Sequence, residues 1–198
     1  ERVYSALFDR YFEYGDKIRQ KILDIRAKIL VPDHLIKHEG EIKDIEREIT
    51  LFHSNVVKEI LNNNKIDVDL LGFHGQTIFH DSKKKITKQL GDGKLLSQLT
   101  KKKVVYNFRQ NDLKNGGQGA PLTPIFHNLI ANKYLKEKLD KSYSVNFVNI
   151  GGISNITQTI KWDKLDKKKD YIKACDIAPG NCLIDEWVRK KSKKKYDS

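Results

Sequence analysis

The sequence contains no methionine, even at its first position, and has only two cysteines and four prolines among 198 residues. Cys175 and Cys182 are too few for a disulfide framework, which fits a reducing compartment and leads to the expectation of a cytoplasmic protein. No apolar run approaches the ~18–20 residues of a membrane-spanning helix, and no signal-peptide pattern opens the chain, so no membrane partner is expected. The missing methionine and an opening, ERVYSALF, that starts in mid-flow lead to the expectation of an internal piece of a longer protein.

Arginine is scarce as well, yet 38 Lys+Arg against 26 Asp+Glu give a formal charge of +12. The lysines gather in short runs at 83–85, 101–103, 167–169 and 193–195, between apolar segments and without interleaved aromatics that could stack bases. This pattern reads as a solvated surface, and no nucleic-acid partner is expected. A basic binding module acting through these runs is the rival reading; its signature is binding that weakens steeply as salt rises.

What is present is periodic. Hydrophobic residues make up 38% of the chain, a lean share, but they recur with clear spacing, so a core is expected. Residues 1–14 read as extended. After Gly15, Asp16 is placed to cap a helix carrying Ile18, Ile22, Ile25 and Ile29 on one face, with Pro32 as its stop. A second helical pattern runs through Ile42, Ile45, Ile49, Phe52, Val56 and Ile60 to the turn-forming Asn62-Asn63-Asn64. Then the period shortens. Val68–Phe73, Val104–Phe108 and Tyr171–Asp176 read as strands, and Ser144–Ile150 with Ile153–Ile160 as a hairpin about Gly151-Gly152. Helices are expected over Pro121–Leu139, with Leu122, Phe126, Leu129 and Ile130 inward, and through Leu183, Ile184, Trp187 and Val188. Alternation of strands and helices predicts an α/β layered fold.

Four stretches could carry chemistry. In 107–127, NFRQNDLKNGGQGAPLTPIFH, three glycines (Gly116, Gly117, Gly119) let a ligand approach the main chain, and Gln118 adds an amide that can read a hydroxyl or acetamido group. Arg109 and Asp112 converge on the same loop, and Pro121 suits a first helical position. The alternative is a surface turn with an incidental Arg–Asp pair. In GFHGQTIFH (72–80), His74 follows a strand end, where α/β proteins collect ligands; the alternative is a structural histidine. His74 and His80 lie six apart with no acid or cysteine at ligand spacing, so no metal site is expected. In NIGGISNIT (149–157), the glycine turn could offer amide N–H groups to a phosphate, though it is no P-loop and could be a plain hairpin. In ACDIAPGNCLIDEW (174–187), Asp176 ends a strand where a carboxylate can take a proton from water, or else it caps a turn.

Taken in order, GFHGQTIFH, QLGDGKLL, NFRxxDxxxGGQGAPLTPIFH, NIGGISNIT and DxAPGNxLIDxW resemble the anhydro-N-acetylmuramic acid kinases, most closely from about residue 66 to 188. The resemblance implies the actin-like, sugar-kinase/heat-shock ATPase fold: residues 1–140 as most of a first α/β lobe and 141–198 as the start of a second. It implies a cytoplasmic enzyme of peptidoglycan recycling that uses Mg2+ with ATP, and water, to open an anhydro-amino-sugar bridge and phosphorylate O6. On the matching positions, Asp176 is similar to the family's general base, and Arg109, Asp112, Gln118 and Gly119 line the sugar side with His74 nearby. Gly151, Gly152 and Asn155 match the phosphate-contacting hairpin, and the family tends to form homodimers. The family's GTSxDG phosphate loop and its glycine-rich adenosine motif are absent here, Asn107 replaces an aspartate, and Ala178 replaces a glycine that matters if that position needs positive φ. The resemblance therefore implies that the full-length protein is the kinase and that this segment alone is inactive. A pseudoenzyme that only binds the amino sugar is the alternative.

Overall fold

A computed structural model describes residues 5–7, 9–135, 143–161 and 171–194. The chain is a mixed α/β protein whose contacts divide it into two compact units, Glu1–Gly119 and Ala120–Ser198. The boundary expected at 140/141 and the lysine run 167–169 lie outside the described residues, as do residues 1–4 and 8 of the expected extended segment. Residues 9–15 form neither helix nor strand.

In the first unit, α1 (Asp16–Lys28) starts one residue earlier than a capping Asp16 requires. Gly15 is the cap, and Asp16 instead brings its charge to the positive helix end. The helix stops four residues before Pro32, which opens α2 (Pro32–Lys37); proline is favoured there because its missing N–H would be unpaired anyway. Next comes α3 (Glu39–Asn64), closed by Lys65 in the left-handed region at φ 50°. Ile22, Ile25 and Ile29 of the first helical stretch share one buried cluster with Ile42, Ile45 and Ile49 of α3. Ile25 and Ile49 are fully enclosed, and truncating either to alanine should cost ~2–5 kcal/mol. Surface ion pairs Lys21–Glu48 and Lys28–Glu41 also bridge α1 and α3, and such exposed pairs add little.

Beyond α3 come β1 (Leu70–Phe73), β2 (Gln76–Asp81), β3 (Ile86–Leu90), α4 (Gly93–Thr100), β4 (Lys103–Tyr106) and α5 (Phe108–Lys114). Strands β1 and β4 pair in parallel, from Leu70 opposite Lys103 to Phe73 opposite Tyr106, while β2 and β3 form an antiparallel hairpin. The strand expected over 104–108 ends early because Asn107 turns left-handed, at φ 59°, and starts α5. The QLGDGKLL stretch builds the start of α4. Asp92 caps it, accepting from the N–H groups of Lys94 (2.9 Å) and Leu95 (3.0 Å). A Cβ at Gly91 would run into the Phe73 ring, and one at Gly93 into the Tyr106 ring. These glycines let the capped helix seat against the last residues of β1 and β4. Two of the lysine runs sit at turns: Lys85 and Lys101 have φ 55° and 58°, and Lys102 pairs with Asp67.

The second unit contains α6 (Pro124–Leu135), β5 (Tyr143–Ile150), β6 (Ile153–Lys161), β7 (Tyr171–Pro179) and α7 (Asn181–Lys191). Its three strands form an antiparallel sheet in the order β5-β6-β7, and the expected hairpin is there, with Ile150 opposite Ser154. Pro124, rather than Pro121, takes the first position of α6; residues 136–139 of the expected helix lie outside the described residues. Of the expected inward face, Leu122, Leu129 and Ile130 are half-buried, whereas Phe126 is about half exposed (47%); Pro124 and Ala131 are buried in addition. His127 stacks on Phe147 at 4.7 Å and shares a 2.9 Å hydrogen bond with the buried Thr157. Among the described residues no helix is long and apolar enough to cross a membrane.

Candidate active site

The parallel register of β1 and β4 brings His74 and Asn107, the residues that follow the two strands, to the same end of the first unit, the end at which α/β sheets bind ligands. Asn107 suits its left-handed conformation better than most residues, because its short amide is tolerated there. The departure from the family's aspartate thus fits the local backbone. From Asn107 springs α5, where Arg109 and Asp112 stand three apart and so share a face. The sequence reading put both on a loop; they are helical, and the glycine loop begins after them.

Both side chains hold that loop. Arg109 Nη1 donates to the Gly119 carbonyl at 2.7 Å, and Asp112 Oδ2 accepts from the Gly119 N–H at 2.8 Å. The Asp112 carbonyl also accepts from the Gly117 N–H at 2.9 Å. Gly119 has φ 74°, and a Cβ there would lie 2.9 Å from His80 Cε1 and 3.0 Å from Leu113 Cγ. A Cβ at Gly117 would overlap the Asp112 carboxylate. Arg109 Nε donates to His74 Nε2 at 2.9 Å. Since arginine only donates, His74 Nε2 must be the acceptor, so the ring proton sits on Nδ1 and is given to the Gly75 carbonyl at 2.7 Å. His74, Arg109, Asp112 and Gly119 are therefore one connected cluster. Gln118 is exposed on the same loop, and its amide has no hydrogen-bond partner among the described residues.

A groove of about 670 Å3 opens on the same unit, reached by Arg47, Lys88, Gln89, Lys94, Asn107 and Gln110. Sequence reasoning missed it, because its lining comes from α3, β3 and the start of α4 as well as from the quoted motifs. The motif nearest to it in the sequence is QLGDGKLL, whose glycines bring α4 against the strand ends.

In the second unit the Gly151-Gly152 turn is fastened to the start of α7. The Ile150 carbonyl accepts from Asn181 Nδ2 (3.2 Å), that of Gly151 from the Asn181 N–H (2.8 Å), and that of Gly152 from the Gly180 N–H (2.9 Å). In a trans peptide the N–H points opposite to the C=O of the same plane. The Gly151 and Gly152 N–H groups therefore point away from α7, and neither has a partner among the described residues. Consecutive amides aimed one way form a concavity suited to an anion. Conversely, α7 begins without a side-chain cap because the turn carbonyls satisfy its first N–H groups.

Asp176 lies opposite Asn155, and the next pair is Ala178 with Ser154, so Ile177 is an extra residue in β7. Such a bulge re-aims the side chains beside it. Strand β7 runs on to Pro179, which places Asp176 inside the strand rather than at its end, as the sequence had indicated. Its carboxylate is exposed and has no hydrogen-bond or ion-pair partner among the described residues, so it is neither a cap nor a turn contact. Ala178 is in the strand and not among the residues with positive φ, so an L-residue fits there without strain.

The sequence matches the family model for anhydro-N-acetylmuramic acid kinase over residues 2–198. It is 52% identical over 197 residues to the anhydro-N-acetylmuramic acid kinase of Pelagibacter ubique (strain HTCC1062), covering 100% of this chain and 50% of that protein. The kinase of the same name from Rhizobium etli is 43% identical over 161 residues, 80% of this chain and 40% of that one. The one from Agrobacterium fabrum is 40% identical over 196 residues, 94% and 48% respectively. The chain thus spans about half the length of the curated relatives it matches.

Proposed function

This chain belongs to the anhydro-N-acetylmuramic acid kinase family, and from that membership we propose that it carries the sugar loop, phosphate turn and general base of an ATP-dependent phosphotransferase of the sugar-kinase/actin-like fold. Residues up to about 140 supply most of a first lobe and those from 141 the start of a second. The observation that carries the reading is the unpartnered, exposed Asp176 on the strand that leads into the helix fastening a turn of free amides.

The chemistry follows from what each group can do. Asp176 takes a proton from water, whose oxygen forms a bond to the anomeric carbon of 1,6-anhydro-N-acetylmuramic acid. The bond from that carbon to O6 breaks, and O6 attacks the γ-phosphorus of ATP, giving N-acetylmuramic acid 6-phosphate and ADP. Phosphoryl transfer asks mainly for alignment and neutralised charge, and the Gly151 and Gly152 amides beside Asn155 supply donors to phosphate oxygens. Magnesium arrives as part of the nucleotide substrate; among the described residues no three His, Cys, Asp or Glu side chains cluster as a metal site. On the sugar side the Arg109–His74–Asp112 cluster holds the loop, and Gln118 offers its free amide to a hydroxyl or the acetamido group. Such an enzyme acts in the cytoplasm on fragments released in peptidoglycan turnover, as a homodimer.

The test is to give the full-length protein Mg-ATP with the anhydrosugar. Sugar-dependent ADP release and a 6-phosphorylated product by mass are expected, and the segment of residues 1–198 alone should release none. Sugar binding by calorimetry without any ADP release from the full-length protein would favour the pseudoenzyme instead.

A further inference from the structure

We propose that Gly180 and Asn181 are positioning residues that aim the phosphate turn, an inference that rests on the kinase reading above. Nothing about a glycine turn by itself decides which way its amides face. Here the direction is imposed from outside the turn, by two residues of the Pro179–Gly180–Asn181 corner that touch it through three hydrogen bonds. Asn181 makes two of them, one with its side chain to the Ile150 carbonyl at 3.2 Å and one with its backbone to the Gly151 carbonyl at 2.8 Å. Gly180 makes the third, to the Gly152 carbonyl at 2.9 Å.

The packing makes the same point independently. A Cβ on Gly180 would overlap the Gly151 carbonyl oxygen and lie 2.9 Å from Ser154 Oγ, where Ser154 is itself buried (8% exposed). Glycine is therefore required at 180 by this close approach, which leaves no room for a side chain. Gly151 and Gly152 show the reverse. Their nearest neighbours to an added Cβ stand at 3.6 Å and 4.0 Å, ordinary contact distances, and neither has a left-handed φ. The fold therefore explains the glycine at 180 and leaves those at 151 and 152 to be explained by something that approaches from outside. A corner that needs a glycine in order to grip a turn that does not is arranged to orient the turn.

The grip also ties the turn to the general base. Asp176, the Ile177 bulge and Gly180 follow one another on one strand and the corner it enters, so fixing Gly180 against Gly151 fixes how far the turn stands from Asp176 along β7. Loss of the Asn181 amide would free the Ile150 peptide to rotate, and with it the Gly151 N–H on the same plane.

The experiment compares Asn181→Ala, Asn181→Asp and wild type as full-length proteins. KM for ATP should rise about tenfold in Asn181→Ala, the scale of one lost hydrogen bond to a backbone carbonyl. It should rise further in Asn181→Asp, whose carboxylate faces the Ile150 oxygen. Binding of the anhydrosugar without nucleotide and the melting temperature should stay at wild-type values in both. Unchanged KM for ATP in Asn181→Asp would overturn the proposal, as would a parallel loss of sugar binding, ATP binding and melting temperature, which marks a merely structural role. Wild type that releases no ADP at all would instead overturn the kinase reading, and this inference with it.

Discussion

Two glycine-rich turns, one in each unit, are held in opposite ways. The loop at 115–119 is gripped by side chains: Arg109 and Asp112 seize the carbonyl and N–H of Gly119, and His74 backs Arg109. The turn at 151–152 is gripped mainly by the backbone of the α7 start, with Asn181 adding a single side-chain bond. In the first, the glycines answer to their own fold, since Gly119 has a positive φ and Gly117 has no room for a Cβ. In the second, the fold makes no such demand. A glycine-rich stretch is thus no single signal. Where a Cβ would collide with the protein, the glycine is structural; at 151 and 152 an added Cβ would meet only ordinary contacts without a left-handed φ, and the fold does not require glycine there.

The sharpest way to break that contrast uses two carboxylates. Asp176 has no partner to lose, so Asp176→Asn in the full-length protein should leave the urea midpoint unmoved while lowering turnover by about 10²–10⁴-fold, the usual worth of a general base. Asp112→Asn should do the opposite in kind. Its amide still accepts from the Gly119 N–H, but the charge-assisted bond is weakened, and stability should fall by roughly 1 kcal/mol. If Asp176→Asn unfolds the protein, or Asp112→Asn leaves the midpoint untouched, the division into held and free acids is wrong.

The glycines sharpen it next. Gly119→Ala places a methyl group at φ 74° against His80 and Leu113 and should cost about 2–4 kcal/mol from left-handed strain and overpacking together. Gly152→Ala should change stability by less than about 0.5 kcal/mol, as expected of a substitution that meets only an ordinary 4.0 Å contact with Cys182, and yet weaken ATP binding several-fold. Equal melting temperatures for the two variants would erase the distinction.

Much of this contrast could be read from the chain, and the unread part has physical causes. The isoleucine spacing of α1 and α3, the hairpin about Gly151-Gly152 and the order of the five motifs were legible because they are periodic or local. The β2–β3 hairpin was not, since its turn carries lysines, with Lys85 left-handed, in place of the glycine or asparagine that marks such turns. Nor was α5, whose start depends on Asn107 turning left-handed within what looked like a strand. The clusters needed coordinates for a different reason. His74 and Arg109 are 35 residues apart, and only the parallel register of β1 with β4 brings them together. Likewise no pattern shows that the Gly151 carbonyl is taken by Asn181.

The smallest expected effect concerns pH and again sets the units side by side. Each holds a histidine whose pKa burial pushes below its usual value: His53, bonded to Tyr14 Oη at 2.8 Å and flanked by Phe52 and Phe73, and His127, bonded to Thr157 and stacked on Phe147. A depressed histidine stays neutral in the folded state while the unfolded chain takes up a proton near pH ~6.5. Stability is therefore whole above about pH 6.5 and declines as pH falls toward the folded pKa, before carboxylates begin to titrate. Glutamine replaces either ring without a titrating group. His53→Gln should flatten the dependence of the urea midpoint between about pH 7.5 and 5.5 more than His127→Gln does, because His53 is enclosed by three aromatic rings and His127 is stacked on one. A slope that survives both substitutions would assign the acid sensitivity elsewhere.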